Sequence, residues 1–192
     1  RINNDPRIKG DLISFSEEGV LAPNTYSFDI TTKKKDLFLK MRNNQERILE
    51  AAWDNRDPDL PLKNALELLI LASIVEKEAG GEEDKKKVAS VFLNRLKKKM
   101  RLQSDPTVVY SLTKGREPLN RELNRSDLKT KSPFNTYKID GLPPSPICNP
   151  SKSSIHAVSN PLKTDFLFFV ANGEGGHNFS NNLKQHNRFV KE

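Results

Sequence analysis

Cysteine is nearly absent from this sequence, because Cys148 is the only one among its 192 residues. One cysteine cannot form an internal disulfide, and the lack of a second thiolate argues against a structural zinc site. Long apolar runs are also lacking, since no stretch approaches the roughly 18 apolar residues that a membrane-spanning helix needs. The first residue is Arg1 and not an initiator methionine, which is typical of a processing boundary at which an anchor or signal segment could have been removed.

The charges are unbalanced toward the positive. Lysine and arginine number 32 against 25 aspartate and glutamate, which gives a net charge of +7. Such an excess suits a polyanionic partner or neighbour, such as nucleic acid, anionic lipid or anionic glycan. The basic runs at residues 33–35, 85–87 and 97–99 lack interleaved aromatic residues on which nucleic-acid bases could stack. We therefore interpret these runs as solvated helix faces and predict no nucleic-acid partner.

Apolar spacing predicts three helices in the first half of the chain, at residues 35–53, 64–78 and 83–100. The middle one is apolar on all sides, which is typical of a helix buried in a core. Short strands are predicted later in the chain, at residues 107–110, 134–139 and 166–171. Residues 173–176 lack the Lys-Ser/Thr pair of a phosphate-binding loop and have the composition of a turn between strands. The predicted fold class is α+β, with buried helices of the N-terminal half packed on short, mainly antiparallel strands.

The two ends of the predicted buried helix differ in character. Asn64 and Glu67 form the pattern of a capping box, and the glycines at residues 80–81 predict a left-handed stop. Two acids, Glu76 and Glu78, occupy the last turn, where the helix dipole disfavours them by about 0.3–1 kcal/mol. Because that energy raises a pKa by less than about one unit, any larger shift requires desolvation by apolar neighbours.

A carboxylic acid kept protonated near neutral pH can donate its proton to a glycosidic oxygen. At about 100° per residue, Glu76 and Glu78 face nearly opposite ways, so only one of them can serve a given cleft. Periodicity does not choose between them, since Glu78 continues the row of Val75 and Glu76 continues that of Ser73. Two solvated acids at a fraying helix end would also explain the pattern.

Three sequence blocks follow one another from this helix end: VEKE at residues 75–78, KVASVFLNRL at 87–96 and MRLQSDPTV at 100–108. Later motifs appear in a fixed order as NTY, GLPP, PI, NP, FVA and GGHNF, between residues 135 and 179. Together they resemble the YceG-like family of endolytic murein transglycosylases, over about residues 18–189. The chain departs from the family pattern in loops, at Asn24, Ser145 and Ser151.

The resemblance implies non-hydrolytic cleavage, within peptidoglycan glycan strands, of the bond between N-acetylmuramic acid and N-acetylglucosamine. The product would carry a 1,6-anhydromuramyl end, and the cut would terminate elongation of nascent strands. The family's acid/base residue corresponds to Glu78, and no cofactor is implied. A lone acid suffices because the muramic acid's own 6-hydroxyl attacks C1, whereas a hydrolase needs a second carboxylate.

Several further residues are predicted to bind substrate, with the resemblance as their support: Glu76, Gln103, Asp105, Asn135 and Tyr137. The amide and phenol groups among them suit acetamido sugars, although they can equally brace a sheet. Asp105 either faces Glu78 across a cleft or forms a turn before Pro106. The histidines, at residues 156, 177 and 186, lack the spacing of a compact ligand set, so no metal site is predicted.

The resemblance also implies a domain organisation and a location. Residues 18–192 are expected to form the catalytic domain. Residues 1–17 are expected to be a linker, or the remnant of an N-terminal region with a LysM-like module and an anchor. The whole protein is expected to cross the bacterial cytoplasmic membrane once, with its catalytic domain on the periplasmic or extracytoplasmic side, and to associate with wall-synthesis machinery.

Three other functions remain open from the sequence. A non-catalytic peptidoglycan-binding module would have no need of an acid at an unfavourable helix end. A hydrolytic muramidase would pair Glu78 with Asp105 or Glu174 and would release a reducing end instead of an anhydro end. A nucleic-acid binder would lose its affinity steeply as salt is raised.

Overall fold

The structure is a computed structural model that describes residues 8–10 and 17–191. Most of the linker predicted at residues 1–17 therefore lies outside the described residues. Within these ranges, six α-helices run in chain order: α1 Lys34–Asp54, α2 Ala65–Glu78, α3 Glu82–Lys97, α4 Asp105–Thr113, α5 Lys152–Ser159 and α6 Leu183–Phe189. Two strands, β1 Phe168–Ala171 and β2 His177–Ser180, form an antiparallel sheet. The α+β class is confirmed, with helices in the larger share, and no described helix is long and apolar enough to cross a membrane.

Helix α2 is the centre of the core. Residues 68–75 of this helix are all buried, and the helix packs against α3 and α5. The helix begins as predicted, since the Asn64 side chain accepts a hydrogen bond from the Glu67 N–H at 2.9 Å. The Glu67 carboxylate in turn accepts from the Lys63 N–H at 2.7 Å, which completes a variant of the capping box. Each fully buried Leu, Ile or Val contributes about 1.5–3 kcal/mol, so this helix supplies much of the folding energy.

The link from α2 to α3 differs from the predicted left-handed stop. Neither glycine at residues 80–81 is among those with positive φ, and Ala79 continues the chain in extended conformation. Gly81 is the N-cap of α3, with φ −84°. The prediction was wrong because α3 begins only four residues after α2 ends, so the chain must turn directly into a new helix. This short link holds the C-terminus of α2 next to the N-terminus of α3.

Helix α3 carries the small sheet. Phe92 of α3 meets Phe169 of β1 edge-to-face, with ring centroids 5.6 Å apart. The buried Arg95 donates to the carbonyl of Leu167 at 2.7 Å and to that of Leu102 at 2.9 Å. This guanidinium therefore ties the start of the hairpin to the segment between α3 and α4. The loop at residues 172–176 joins β1 to β2, as predicted for a turn between two strands.

Two of the three predicted strands are absent from the described residues. Residues 107–110 lie in helix α4, where Pro106 takes a position in the first turn that suits proline and Val108 is fully buried. Residues 134–139 form turns, because the buried Asn135 amide donates to the carbonyls of Leu128 and Thr130. The third prediction is confirmed in part, since β1 occupies only the last four residues of 166–171.

Gly19 is expected to be irreplaceable for steric reasons. Its φ is +89°, and a Cβ there would lie 2.7 Å from Pro146 Cγ and 3.1 Å from Leu69 Cδ2. We expect Gly19→Ala to lower the free energy of unfolding by about 2–4 kcal/mol, measured by urea denaturation. Gly141→Ala is the matched control, because Gly141 has a similar φ of +80° but open space around it. If both variants lose the same free energy of unfolding, the close approach of the added Cβ to Pro146 does not destabilise the fold.

Candidate active site

The end of α2 opens into a cleft of about 340 Å³. Its walls come from α2, α3, the segment leading into α4, the turns near Tyr137, strand β1 and helix α6. The lining residues are Glu78, Arg95, Leu102, Gln103, Asp105, Tyr137, Phe168, Phe169, Leu183 and His186. Glu78 is the last residue of α2, so the core helix ends by presenting a carboxyl group to this cleft.

Glu78 has the electrostatics of a proton donor at neutral pH. Burial of its carboxyl group raises the pKa to about 7. A hydrogen bond donated by the Ser104 hydroxyl to Oε1, at 2.6 Å, opposes this rise. The negative charge of Asp105 raises the pKa further, and the nearby His177 lowers it. A group that is half protonated near pH 7 can act as an acid and then as a base.

Ser104, which was not among the predicted site residues, is held in place by buried hydrogen bonds. It is 1% exposed, and its N–H donates to Thr136 Oγ1 at 2.9 Å. Thr136 and Thr107 share a hydrogen bond of 2.8 Å between their hydroxyls. Ser104 occupies the N-cap position of α4 but makes no side-chain cap bond. A serine before Asp-Pro was a visible capping signal, but nothing in the sequence indicated that its hydroxyl turns to Glu78 instead.

Asp105 faces the cleft, as one of its two interpretations predicted. Its Oδ1 accepts a hydrogen bond from the Tyr137 hydroxyl at 2.6 Å. Burial, together with this bond and the charge of Asp105, raises the pKa of Tyr137 above its ordinary range. Tyr137 therefore remains a neutral donor that holds Asp105 in place. Asp105 also begins helix α4, so its position before Pro106 marks a helix start and not only a turn.

The remaining predicted substrate-binding residues divide between the cleft and the interior. Gln103 lines the cleft, in the left-handed region at φ 52°, with its Oε1 3.4 Å from a nitrogen of Arg95. Asn135 is completely buried, does not line the cleft, and braces the neighbouring loop through two carbonyl groups. Glu76 faces away from the cleft, in agreement with the helical spacing that separates it from Glu78.

Glu76 joins α2 to the N-terminus of α5. Its Oε2 accepts hydrogen bonds from the hydroxyls of Ser151 and Ser154, from the Ser151 N–H at 3.1 Å and from Lys85 Nζ at 3.1 Å. Burial raises the pKa of Glu76, but these bonds outweigh burial and bring the pKa below its ordinary value. The Lys85 side chain is only 7% exposed. The interpretation of residues 85–87 as a solvated face was therefore wrong for Lys85, because helix α3 turns this lysine toward Glu76.

His177 contributes to the surroundings of Glu78 from strand β2. Its Nδ1 lies 2.7 Å from Asp84 Oδ2, and both side chains are largely buried, at 12% and 16% exposed. The His177 ring also meets Phe169 edge-to-face, at 5.1 Å between centroids. The sequence indicated no role for this histidine beyond that of a metal ligand, which its spacing disfavoured. No group of three or more metal-binding side chains occurs among residues 8–10 and 17–191.

The chemistry that the cleft supports is proton transfer by Glu78, whose pKa is raised to about 7. Glu78 can supply a proton, and its Oε1 is engaged by Ser104, so Oε2 is the oxygen left to carry that proton. Phe168 and Phe169 provide apolar surface beside it. A sugar ring offers apolar C–H faces and polar edges, which fits a wall of aromatic rings with a few donors. The site therefore suits proton transfer to a glycosidic oxygen.

Comparison with known proteins gives a consistent family relationship. The sequence profile of the YceG-like family matches residues 3–192. The chain is 42% identical, over 175 residues, to an endolytic murein transglycosylase from Bacillus subtilis (strain 168). It is 37% identical, over 178 residues, to an endolytic murein transglycosylase from Streptococcus pneumoniae serotype 2 (strain D39 / NCTC 7466). These alignments cover 89% and 91% of this chain but 46% and 32% of the relatives, so the chain spans a third to a half of their length.

A solved structure is also similar to the whole fold. The 2.6 Å crystal structure of a YceG-like protein from Listeria monocytogenes superposes with a TM-score of 0.75 at 37% sequence identity. The match covers 97% of this chain and 58% of that one. The helices and the hairpin that surround Glu78 thus belong to an arrangement seen in a related protein.

Proposed function

Because the chain belongs to the YceG-like family, we propose that it is the catalytic part of an endolytic murein transglycosylase, with peptidoglycan strands as its substrate. The cut falls between N-acetylmuramic acid and N-acetylglucosamine and leaves a 1,6-anhydromuramyl end. The observation that carries the proposal is the Glu78 carboxyl group, whose pKa of about 7 suits an acid that must also act as a base. The names of the relatives support the same reaction class.

One residue is enough for the proposed reaction. Protonated Glu78 donates its proton to the glycosidic oxygen, and the bond from that oxygen to C1 of muramic acid breaks. The 6-hydroxyl oxygen of the same sugar bonds to C1, and its proton passes to the Glu78 carboxylate. The acid is thereby regenerated, no water is consumed, and the intramolecular attack replaces an external nucleophile. Ser104 keeps the carboxyl group oriented throughout, through its bond to Oε1.

A hydrolytic muramidase is the second candidate, and one specific observation favours it. Asp105 lines the same cleft as Glu78, and Tyr137 holds its carboxylate in place. In a hydrolase, such a second carboxylate activates water or attacks C1. Glu174, the other partner considered from the sequence, is exposed in the hairpin loop and does not line the cleft. The two reactions leave different ends on the muramic acid.

Product analysis tests the proposed function. Purified peptidoglycan is incubated with this chain, and soluble and insoluble products are identified by mass spectrometry. Internal fragments with 1,6-anhydromuramic ends are expected. Reducing ends would assign the muramidase reaction, and binding without any cleavage would assign a non-catalytic module. Release of only terminal disaccharides would contradict cutting within strands.

The pH dependence of cleavage is predicted from Glu78. The acid must be protonated, so kcat/KM is expected to fall as the pH rises through about 7. Asp105→Asn removes a charge that raises the pKa of Glu78, so the fall should begin at a lower pH in this variant. Asp140→Asn is the control, because Asp140 pairs with Arg101 at an exposed site. An unchanged profile in Asp105→Asn would show that Asp105 does not influence the acid.

The location and role of the whole protein belong to the same proposal. We place it at the cytoplasmic membrane, anchored by one span, with the catalytic domain outside, where it cuts nascent strands beside wall-synthesis machinery. The net charge of +7 suits a position near anionic lipid or glycan. Protease accessibility of the domain in spheroplasts tests this placement, since a domain on the cytoplasmic side would remain protected.

A further inference from the structure

A second and larger cavity adjoins the Glu78 cleft. It has a volume of about 650 Å³, and Asp105 lines both spaces. Its walls come from α4, the end of α2, the loop after α4 and the segments near residues 18 and 148. We call it the side cavity. Because Lys77 and Glu78 are consecutive residues of α2, the side cavity begins beside the acid itself.

The side cavity carries charges of both signs. Lys77 and Arg116 are exposed, and neither forms an ion pair among the residues that the structure describes. Glu117 is exposed, whereas Glu18 is partly buried. Burial raises the pKa of Glu18, and the positive charge of Lys77 opposes that rise. With Asp105, which lines both spaces, three acids and two cations thus surround the side cavity, and no ion pair joins them among the described residues.

Between these charges the wall is apolar. Pro106, Val109, Tyr110 and Ile147 contribute it from α4 and the opposite segment. Gly115 keeps the space open, since it has φ +70° and a Cβ there would lie 3.0 Å from Glu18 Oε1 and 3.2 Å from Tyr110 Cε2. A larger residue at this position would be strained and would push against both side chains.

We propose that the side cavity binds the stem peptide of the muramic acid whose bond Glu78 cleaves. The inference rests on the proposed function and names a second feature of its substrate. In peptidoglycan the sugars are neutral, and the charges belong to the peptide attached to muramic acid. That peptide carries free carboxylates, which suit Lys77 and Arg116, and the amine of its diamino acid, which suits Glu18 and Glu117. Its alanine methyl groups suit the apolar wall.

Additional sugar units fit the side cavity less well. Sugar subsites use flat aromatic faces, but the Tyr110 ring is packed against Phe134, with centroids 4.8 Å apart. A neutral sugar would also remove water from charged groups without offering an ionic partner, which costs free energy. The peptide supplies such partners. The side cavity should therefore make the enzyme prefer strands that carry peptides.

The kinetic test compares two substrates. Peptide-bearing strands and strands freed of peptide by an amidase are cleaved under the same conditions, and the ratio of kcat/KM values is the readout. We expect a ratio above one for the unmodified chain and a decrease of about tenfold in the variant that combines Lys77→Gln with Arg116→Gln. Lys98→Gln, at an exposed lysine outside both cavities, is the matched control and should keep the ratio. A ratio of one in the unmodified chain overturns the proposal. So does a ratio that the double variant leaves unchanged.

A binding test separates this proposal from the reaction itself. The synthetic tetrapeptide L-Ala-γ-D-Glu-L-Lys-D-Ala is titrated to about 10 mM into the isotopically labelled chain, and amide shifts are followed by NMR. Shifts at Lys77, Tyr110 and Arg116 that the double variant lacks are expected. If neither strand is cleaved, the proposed function fails, yet these shifts would still establish the peptide site. Absence of shifts, or shifts confined to other surfaces, overturns the site even if cleavage is found.

Discussion

The Glu78→Gln variant is expected to lose cleavage of glycan strands by a factor between about 10² and 10⁴, the range that general acid/base groups contribute. Glutamine has the same shape, and its amide oxygen can still accept the hydrogen bond that Ser104 donates. It has no proton to give to the glycosidic oxygen, and it cannot take one from the 6-hydroxyl. The rate is measured by release of soluble fragments from purified peptidoglycan.

The same variant should be more stable against unfolding than the unmodified chain above about pH 7. The folded pKa of Glu78, about 7, lies above its ordinary value of 4.5. Below pH 4.5 the group is protonated in both states and burial costs little. As the pH rises toward 7 the unfolded chain ionises first, so the folded state loses stability, and above 7 the loss is complete. Glu78→Gln avoids this loss, which amounts to at most about 3 kcal/mol.

Urea denaturation at pH 4 and pH 8 measures this difference. The variant and the unmodified chain should match at pH 4, and the variant should be the more stable at pH 8. Glu174→Gln, in the exposed hairpin loop, serves as control and should follow the unmodified chain at both values. A Glu78→Gln protein that is less stable at pH 8 would mean that the carboxylate is favourably bound there and is not a raised-pKa acid.

The Glu76→Gln variant is expected to lose roughly 2–3 kcal/mol of folding free energy at neutral pH. Lys85 Nζ is nearly buried and would lose the carboxylate that lies 3.1 Å away, its ionic partner in the fold. Because the pKa of Glu76 is lowered, the ion pair stabilises the fold above pH 4.5 and is lost in stronger acid. The difference between variant and unmodified chain should therefore shrink as the pH falls below about 4, which denaturation curves would show.

Activity should fall together with stability in Glu76→Gln, since Glu76 fixes the last turn of α2, which ends at Glu78. Glu83→Gln is the matched control, because Glu83 pairs with Lys87 at an exposed site and its loss should leave stability unchanged. The combination of Glu76→Leu with Lys85→Met removes both charges and should recover much of the lost stability. No recovery in the double variant would attribute the loss to the serine hydroxyls and not to the stranded lysine.

The local features of α2 were predictable from the sequence. Apolar residues on all sides indicated burial, Asn64 with Glu67 indicated the cap, and the spacing of Glu76 and Glu78 placed them on opposite faces. Each of these follows from interactions within a few residues of chain. The choice of Glu78 over Glu76 did not follow from the pattern, and rested on the resemblance.

Other features depend on contacts between distant segments, which a sequence pattern does not contain. Ser104 reaches Glu78 only because the chain folds back over 26 residues, and Asp84 meets His177 across 93. The sequence predicted that Lys85 lies on a solvated face, but its contacts with Glu76 of α2 and Ser153 of α5 bury it. Residues 107–110 have β-branched composition, yet a proline-initiated helix with one buried face outweighed that propensity.

Cleavage of purified peptidoglycan in ¹⁸O-labelled water tests the central claim most directly. If Glu78 alone serves as acid and base while the 6-hydroxyl attacks C1, the new muramic ends are anhydro sugars and contain no ¹⁸O. Mass spectrometry should then show unlabelled 1,6-anhydromuramyl ends that disappear with the Glu78→Gln variant. Ends that carry one ¹⁸O atom at C1 would mean that water attacks, would contradict the non-hydrolytic mechanism, and would assign Asp105 the role of the second carboxylate.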